Sequence, residues 1–440
     1  MNPAYESHEL AVAVADLLTN PDDPSLPIEQ PWWRQSLALG VPGVALLHVE
    51  LAAAGQRPWQ RAHHWLTAVT SGPITAGADS HPFHGAPALA HVLACAATHQ
   101  PGVYAQALDG LDKAISADAR RRVAAAHARI DAGELPALAE FDVIRGLAGI
   151  GAYLLRRPSA GEALHAVLEY LLRLTAPLHR DGEVLPGWWT GSGPNGRTDV
   201  RFPGGHSNNG LAHGIAGPLA LLALAALRGV VIPGQLQAIA TVCSWLDRWR
   251  SDTGTGLIWP YWITRAQLRA DRPPALAAQR PSWCYGTAGL AHAQQLAALA
   301  TGDPVRRKAA GDALACALTD PGQLAATTDP SLCHGYAGLA HIAHRVAADA
   351  PPEISARLDA RVPDLLSMID PTGAGPRRTA AALIAAAPGP GMLEGAAGVA
   401  LAALSCSAAS MPASSWDSCL ITARPTFPLT RGGVRTDVDM

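Results

Sequence analysis

The sequence predicts an all-α fold, an (α/α)7 double barrel or toroid in which seven helical hairpins close into a ring. Three observations predict it. A Gly-x-x-Gly step recurs along the chain, an Ala/Leu-rich run follows each step, and more amphipathic segments carrying acidic residues and Arg lie between the runs. Composition agrees with extensive burial, since 49% of the 440 residues are apolar and 16% are charged, against a usual charged share of about 25%. One domain over residues 1–440 is expected, with a loop-like C-terminal tail from about residue 420.

Taken in order, the steps begin at Gly40, Gly85, Gly146, Gly214, Gly286, Gly335 and Gly395. The Gly85 copy is degenerate, with Ala88 in place of the second glycine. Successive first glycines lie 45, 61, 68, 72, 49 and 60 residues apart, room for two helices and their loops. Runs such as Pro218 to Leu227 are apolar around the whole helix circumference, which marks inner helices buried on all sides. Segments such as Ala163 to Leu174 and Pro233 to Trp249 are amphipathic and suit outer helices with one solvated face. An open solenoid would need polar capping repeats, and neither the first nor the last copy is more polar than the rest, so the ring closes. The long loops Asp181 to Asn209 and Asp252 to Ser282, rich in Gly, Pro and Trp, decorate one rim and have room for short strands.

Several functional classes fall away. The 33 basic and 36 acidic residues nearly cancel and form no long basic block, which argues against nucleic acid as a partner. Seven widely spaced cysteines do not make a secreted disulfide framework and suit a reducing cytoplasm. The N-terminus, with Glu6 and Glu9, lacks a signal-peptide layout. The most membrane-like stretch, Gly210 to Leu227, contains His213 and Pro218 and reads as a buried helix.

Aligned on the first glycine, the preceding residues are Leu39, His84, Arg145, His213, Tyr285, His334 and Glu394. One position earlier, Cys284 and Cys333 occupy equivalent places in repeats five and six. A closed ring gathers these positions at one end, where seven inner helix N-termini favour thiolates and anions. Cys284, Cys333 and His334 therefore form a candidate zinc site with a fourth position free, the arrangement of a catalytic zinc. The other cysteines, 95, 243, 316, 406 and 419, read as small buried hydrophobes. His213 in repeat four should face the metal from the side, where an imidazole can transfer a proton. Asp142, four residues before Gly146, reads either as an N-cap or as the anion that orients a histidine. His84, Arg145 and Glu394 remain candidates for the pocket rim. His91, His292 and His341 lie six residues after their glycines, about 9 Å down the inner helices. These are assigned to structure because no cysteine or carboxylate recurs at that depth.

Phe141-Asp142, Ala212-His213-Gly214-Ile215-Ala216-Gly217, Trp283-Cys284-Tyr285-Gly286 and Cys333-His334-Gly335 follow one another across the seven repeats. With Pro186-Gly187-Trp188-Trp189, they make the chain resemble the lanthipeptide cyclases, the LanC-like family, over nearly its whole length. The resemblance implies a zinc-dependent toroid that closes thioether rings in a dehydrated precursor peptide, of the standalone class I type. It implies Cys284, Cys333 and His334 as zinc ligands, His213 and Asp142 as an acid/base pair, and Arg280, Trp283 and Tyr285 as residues lining the active site. A separate dehydratase and an exporter complex are the further partners it implies, and a cytoplasmic location with membrane association through such a complex. Two rivals have other chemistry: a noncatalytic zinc-containing scaffold that binds peptides or thiols, and a protein-prenyltransferase-like zinc enzyme. Seven repeats and a Cys-Cys-His set argue against the second, which uses six hairpins and an Asp-Cys-His set.

Overall fold

In the computed structural model, which describes residues 3–407 and 411–423, each glycine step opens an inner helix. The seven are Val41–Ala53, Ala86–Ala97, Leu147–Leu154, Ala216–Leu227, Thr287–Thr301, Tyr336–Ala347 and Ala396–Ser407. Each packs on the next and the seventh packs on the first, so the ring is closed as expected. They are buried along almost their full length, as their all-round apolar sequences require.

The second glycine of each step explains the close approach. In every copy but the degenerate one, a Cβ there would lie 1.6–2.8 Å from the carbonyl oxygen six residues earlier, a space only glycine leaves open. The turns folded back in this way are joined into a hydrogen-bonded girdle. Leu37 N donates to Phe83 O (2.9 Å), Val143 N to Ala212 O (3.0 Å), Ala212 N to Cys284 O (3.3 Å) and Cys284 N to Cys333 O (3.3 Å). Cys333 N donates to Leu393 O (2.7 Å), and Leu393 N to Ala38 O (3.0 Å) closes the circle. Between the degenerate copy and the third, the backbone link is replaced by a side chain: His81 Nδ1 lies 3.1 Å from Ile144 O and donates to it. Burial pushes the His81 pKa down to about 4, which keeps the ring neutral with a single N–H to give.

Outer helices follow their inner partners, among them Trp59–Val69, Ala105–Asp131, Gly161–Leu174, Gln235–Trp249, Pro304–Ala317 and the pair Pro352–Asp359 and Val362–Ser367. The seventh hairpin differs from a simple tandem repeat. Its inner helix Ala396–Ser407 pairs with the N-terminal helix Pro3–Leu17, so one unit is built from distant parts of the chain. That pairing covers the faces an open solenoid would expose and accounts for the missing polar caps.

The tail expected from about residue 420 lies outside the described residues beyond 423, and what precedes it is not loose. Residues 411–423 run against the inner helices. Glu50 accepts from Ala413 N and Ser414 N, both at 2.8 Å. Trp416 is fully buried, its ring 4.8 Å from that of His341, and its carbonyl accepts from His91 Nε2 at 2.9 Å. Asp417, 0% exposed, faces Arg345 Nε and Nη2 at 2.6 Å each and His341 Nε2 at 2.9 Å. Burial pushes the Asp417 pKa up, but Arg345 and His341 outweigh it and hold the carboxyl well below the usual range. A carboxylate thus does reach the deep histidine tier, Asp417 at His341, although it does not lie in the repeat register. His91 and His341 hold this segment in place.

The two long rim loops contain short strands. His206–Asn208 and Trp262–Thr264 pair antiparallel and tie one loop to the other. Among the described residues no helix is long and apolar enough to cross a membrane.

Candidate metal centre

The seven residues before the first glycines all reach solvent, from half-buried Leu39, His84, His213, Tyr285 and His334 to exposed Arg145 and Glu394. They mark one end of the barrel. Within that end, the girdle bond from Cys284 N to Cys333 O sets repeats five and six side by side. The sulfurs of Cys284 and Cys333 and a ring nitrogen of His334 lie within 4.8 Å of one another. This is the only such grouping of His, Cys, Asp or Glu among the described residues.

The two thiols share charge unequally. Cys333, with His334 and Ser282, stabilises a thiolate on Cys284 and holds its pKa well below the ordinary cysteine value in spite of burial. Cys284 in turn pushes Cys333 well above that value, burial adding to the effect. The Cys284 sulfur raises the His334 pKa against the opposing effect of burial.

Beside it, His213 Nδ1 and Asp142 Oδ2 are 2.7 Å apart, with the Asp142 side chain 2% exposed and that of His213 35%. Asp142 is not the N-cap of the third inner helix, a place Gly146 takes without a side-chain cap. Its Oδ1 accepts from Arg145 N (2.6 Å) and Gly146 N (2.8 Å) in the turn that leads into that helix, while Oδ2 faces the imidazole. Since a carboxylate only accepts, Nδ1 carries the shared proton and Nε2 is left to exchange one.

Tyr285 stands 6.2 Å from the His213 ring, centroid to centroid, and its hydroxyl accepts from Asn208 Nδ2 at 3.0 Å. Burial pushes the Tyr285 pKa up to about 12, so the O–H stays protonated at neutral pH. Arg280 is 31% exposed, and its Nη1 is 3.8 Å from Asp329 Oδ2. Its charge acts on both Cys333 and His334. Trp283 departs from the expected role as a pocket-lining residue. It is 2% exposed, and its Nε1 donates to Leu420 O at 3.1 Å, so its ring is core that joins the Cys284 turn to the C-terminal segment.

Asn208, Ser282 and Asp329 are neighbours of this site that repeat alignment on the first glycine did not select. Ser282 Oγ lies 3.5 Å from Cys284 Sγ. Of the remaining cysteines, Cys95, Cys243 and Cys419 are buried as expected, whereas Cys316 and Cys406 are only partly so; all are free thiols.

Comparison with known proteins accords with this geometry. The nisin biosynthesis protein NisC of Lactococcus lactis subsp. lactis is 25% identical over 154 residues, 34% of this chain and 36% of NisC. The chain therefore matches about a third of that relative's length. The solved structure of nisin cyclase shares the fold, with a TM-score of 0.72 at 20% identity over 94% of this chain and 96% of its own. A model of the lanthionine synthetase C-like protein family matches residues 31–421. On a match of that extent, the chain belongs to the lanthionine synthetase C-like family.

Proposed function

We propose that this protein is a zinc-dependent lanthipeptide cyclase. It adds cysteine thiolates of a dehydrated precursor peptide to dehydroalanine or dehydrobutyrine in the same peptide, closing thioether rings. The observation that carries the reading is the meeting of Cys284, Cys333 and His334 within 4.8 Å beside the His213–Asp142 pair.

The donor set fits zinc. A tetrahedral ion bonded to sulfur at about 2.3 Å and to nitrogen at about 2.0–2.1 Å holds its ligand atoms roughly 3.5–4 Å apart, inside the observed span. Three protein ligands leave a fourth position for substrate. A free cysteine is mostly protonated at neutral pH, its pKa being about 8.5. Cys284, Cys333 and His334 would hold the ion, and zinc there would supply the acidity that lowers a thiol pKa, its charge tempered by the two protein thiolates.

The chain's own residues do the rest. As the carbon–sulfur bond forms at the β-carbon, the alkene electron pair moves toward the neighbouring carbonyl. Arg280 and the protonated Tyr285 are donors for the negative charge that develops there. Asp142 holds the Nδ1 proton of His213, so that Nε2 takes up the proton the thiol loses and then delivers it to the α-carbon. No atom is gained or lost overall. The dehydro residues must be made beforehand by a separate dehydratase, and an exporter would follow; the protein would work in the cytoplasm alongside them.

The test is incubation with zinc and a dehydrated, cysteine-containing precursor. Cyclisation leaves the mass unchanged and makes the thiol resistant to alkylation. Thiols that stay fully alkylatable across several dehydrated precursors would overturn the reading. Substituting His213 separates an enzyme from a noncatalytic scaffold, which would keep zinc and peptide affinity with no turnover to lose.

A further inference from the structure

We propose that Asp329 is a positioning residue that holds the His334 imidazole, and with it the Arg280 guanidinium, in register with the two sulfurs. The inference rests on the reading of Cys284, Cys333 and His334 as metal ligands.

The argument begins in the repeat. Six residues before the first glycine, repeats four, five and six carry Asn208, Arg280 and Asp329. These three form a second tier behind the residues nearest the glycine. Asn208 and Asp329 are built alike. Each side-chain Oδ1 accepts from the backbone N–H two residues on: Asn208 from Gly210 N at 3.0 Å, Asp329 from Ser331 N at 2.9 Å. In each copy the first glycine makes room for this bend, since a Cβ on Gly214 would lie 2.6 Å from Asn208 Oδ1 and one on Gly335 would lie 2.5 Å from Asp329 Oδ1. Each side chain then uses its second polar atom on the site. Asn208 Nδ2 reaches the Tyr285 hydroxyl, and Asp329 Oδ2 stands 3.5 Å from His334 Nε2 and 3.8 Å from Arg280 Nη1.

The consequence for His334 follows from imidazole chemistry. Only one ring nitrogen can bind a metal, and the other is then an N–H donor that a carboxylate orients. Asp329 faces Nε2, which assigns Nδ1 to the metal side. The repeat-three carboxylate has the same division of labour: Asp142 gives one oxygen to backbone N–H groups and the other to His213. Two anchored carboxylates thus each face one imidazole of the site, Asp142 at 2.7 Å and Asp329 at 3.5 Å. Arg280 Nε is buried without a hydrogen-bond partner among the described residues, so Asp329 supplies the nearest fixed anion for that guanidinium.

The test uses the full chain and zinc alone, in competition with a chromophoric chelator. Asp329→Asn keeps an oxygen for Ser331 N but places an amide donor against the His334 N–H. Asp329→Ala removes both contacts. The expected result is a zinc Kd raised about 10- to 100-fold in both variants, the range seen when a carboxylate behind a metal-bound histidine is removed. Thermal unfolding of the metal-free Asn variant should match wild type. The cobalt-substituted variants should keep the thiolate charge-transfer bands while their ligand-field bands shift, a signature that a merely structural role would not produce. Zinc affinity within twofold of wild type in both variants overturns the inference. So does an affinity loss in Asp329→Ala alone, which would assign the residue to the turn. Wild-type protein that takes up no zinc would instead refute the metal reading beneath it.

Discussion

The carboxylate of Asp417 offers the sharpest test of how the C-terminal segment is held. Replacing it by Asn keeps the shape and removes the charge. Arg345 would then sit with its side chain 5% exposed and no anion against it, where wild type has two contacts of 2.6 Å. Unit charges about 4 Å apart at an effective dielectric constant near 20 interact by roughly 4 kcal/mol. Breaking a buried pair from one side costs about 3–5 kcal/mol for the same reason. We therefore expect Asp417→Asn to lose about 3–5 kcal/mol, read from the urea midpoint at pH 7. Pairing it with Arg345→Met should recover part of that loss, because the stranded charge is gone. A single variant within about 1 kcal/mol of wild type would refute the argument that this segment is pinned by a buried ion pair.

Three further outcomes follow from the same coordinates. Gly289→Ala places a Cβ 2.1 Å from the Trp283 carbonyl oxygen, so it should destabilise by about 1–3 kcal/mol or more; an unchanged melting temperature would contradict the close-packing account. Burial holds His48, His206 and His292 near a pKa of about 4 and His91 near about 3, against 6.5 for the free side chain. Between pH 6.5 and about 4 the unfolded chain thus binds more protons, so stability falls as pH falls through that window, by roughly 1 kcal/mol per histidine per pH unit. Urea midpoints that do not change from pH 7 to pH 5 would contradict it. His213→Ala should slow cyclisation about 10²- to 10⁴-fold with zinc content unchanged, measured by single-turnover alkylation assays and metal analysis; a rate within threefold of wild type would remove His213 from proton transfer.

The inner barrel was legible because its signal is local and repeated. A Gly-x-x-Gly step and an apolar run mark each inner helix to within a residue or two, as at Gly286 before Thr287–Thr301. The outer helix expected from Ala163 to Leu174 is found at Gly161–Leu174, and the one from Pro233 at Gln235–Trp249. Register alone also places Cys284 beside Cys333, since equivalent positions in a closed ring are neighbours. What escaped depends on contacts between elements far apart in the chain. Nothing local in Pro3–Leu17 announces that it completes the seventh hairpin, and nothing in Trp416 or Asp417 announces burial against His341. The family resemblance implies Trp283 as a site aromatic, whereas on its own it reads as a packing residue, and its ring is core held by Leu420, 137 residues away. Asp329 went unselected because the alignment stopped at the residues adjoining the glycine, while the supporting tier lies one turn of backbone further back.

Zinc K-edge absorption of the purified, zinc-loaded chain is the most direct test of the metal centre. The account predicts two sulfur scatterers at about 2.3 Å with one imidazole and one further light atom, and the loss of one sulfur in each of Cys284→Ala and Cys333→Ala. A spectrum without sulfur neighbours, or one identical in all three proteins, would contradict it.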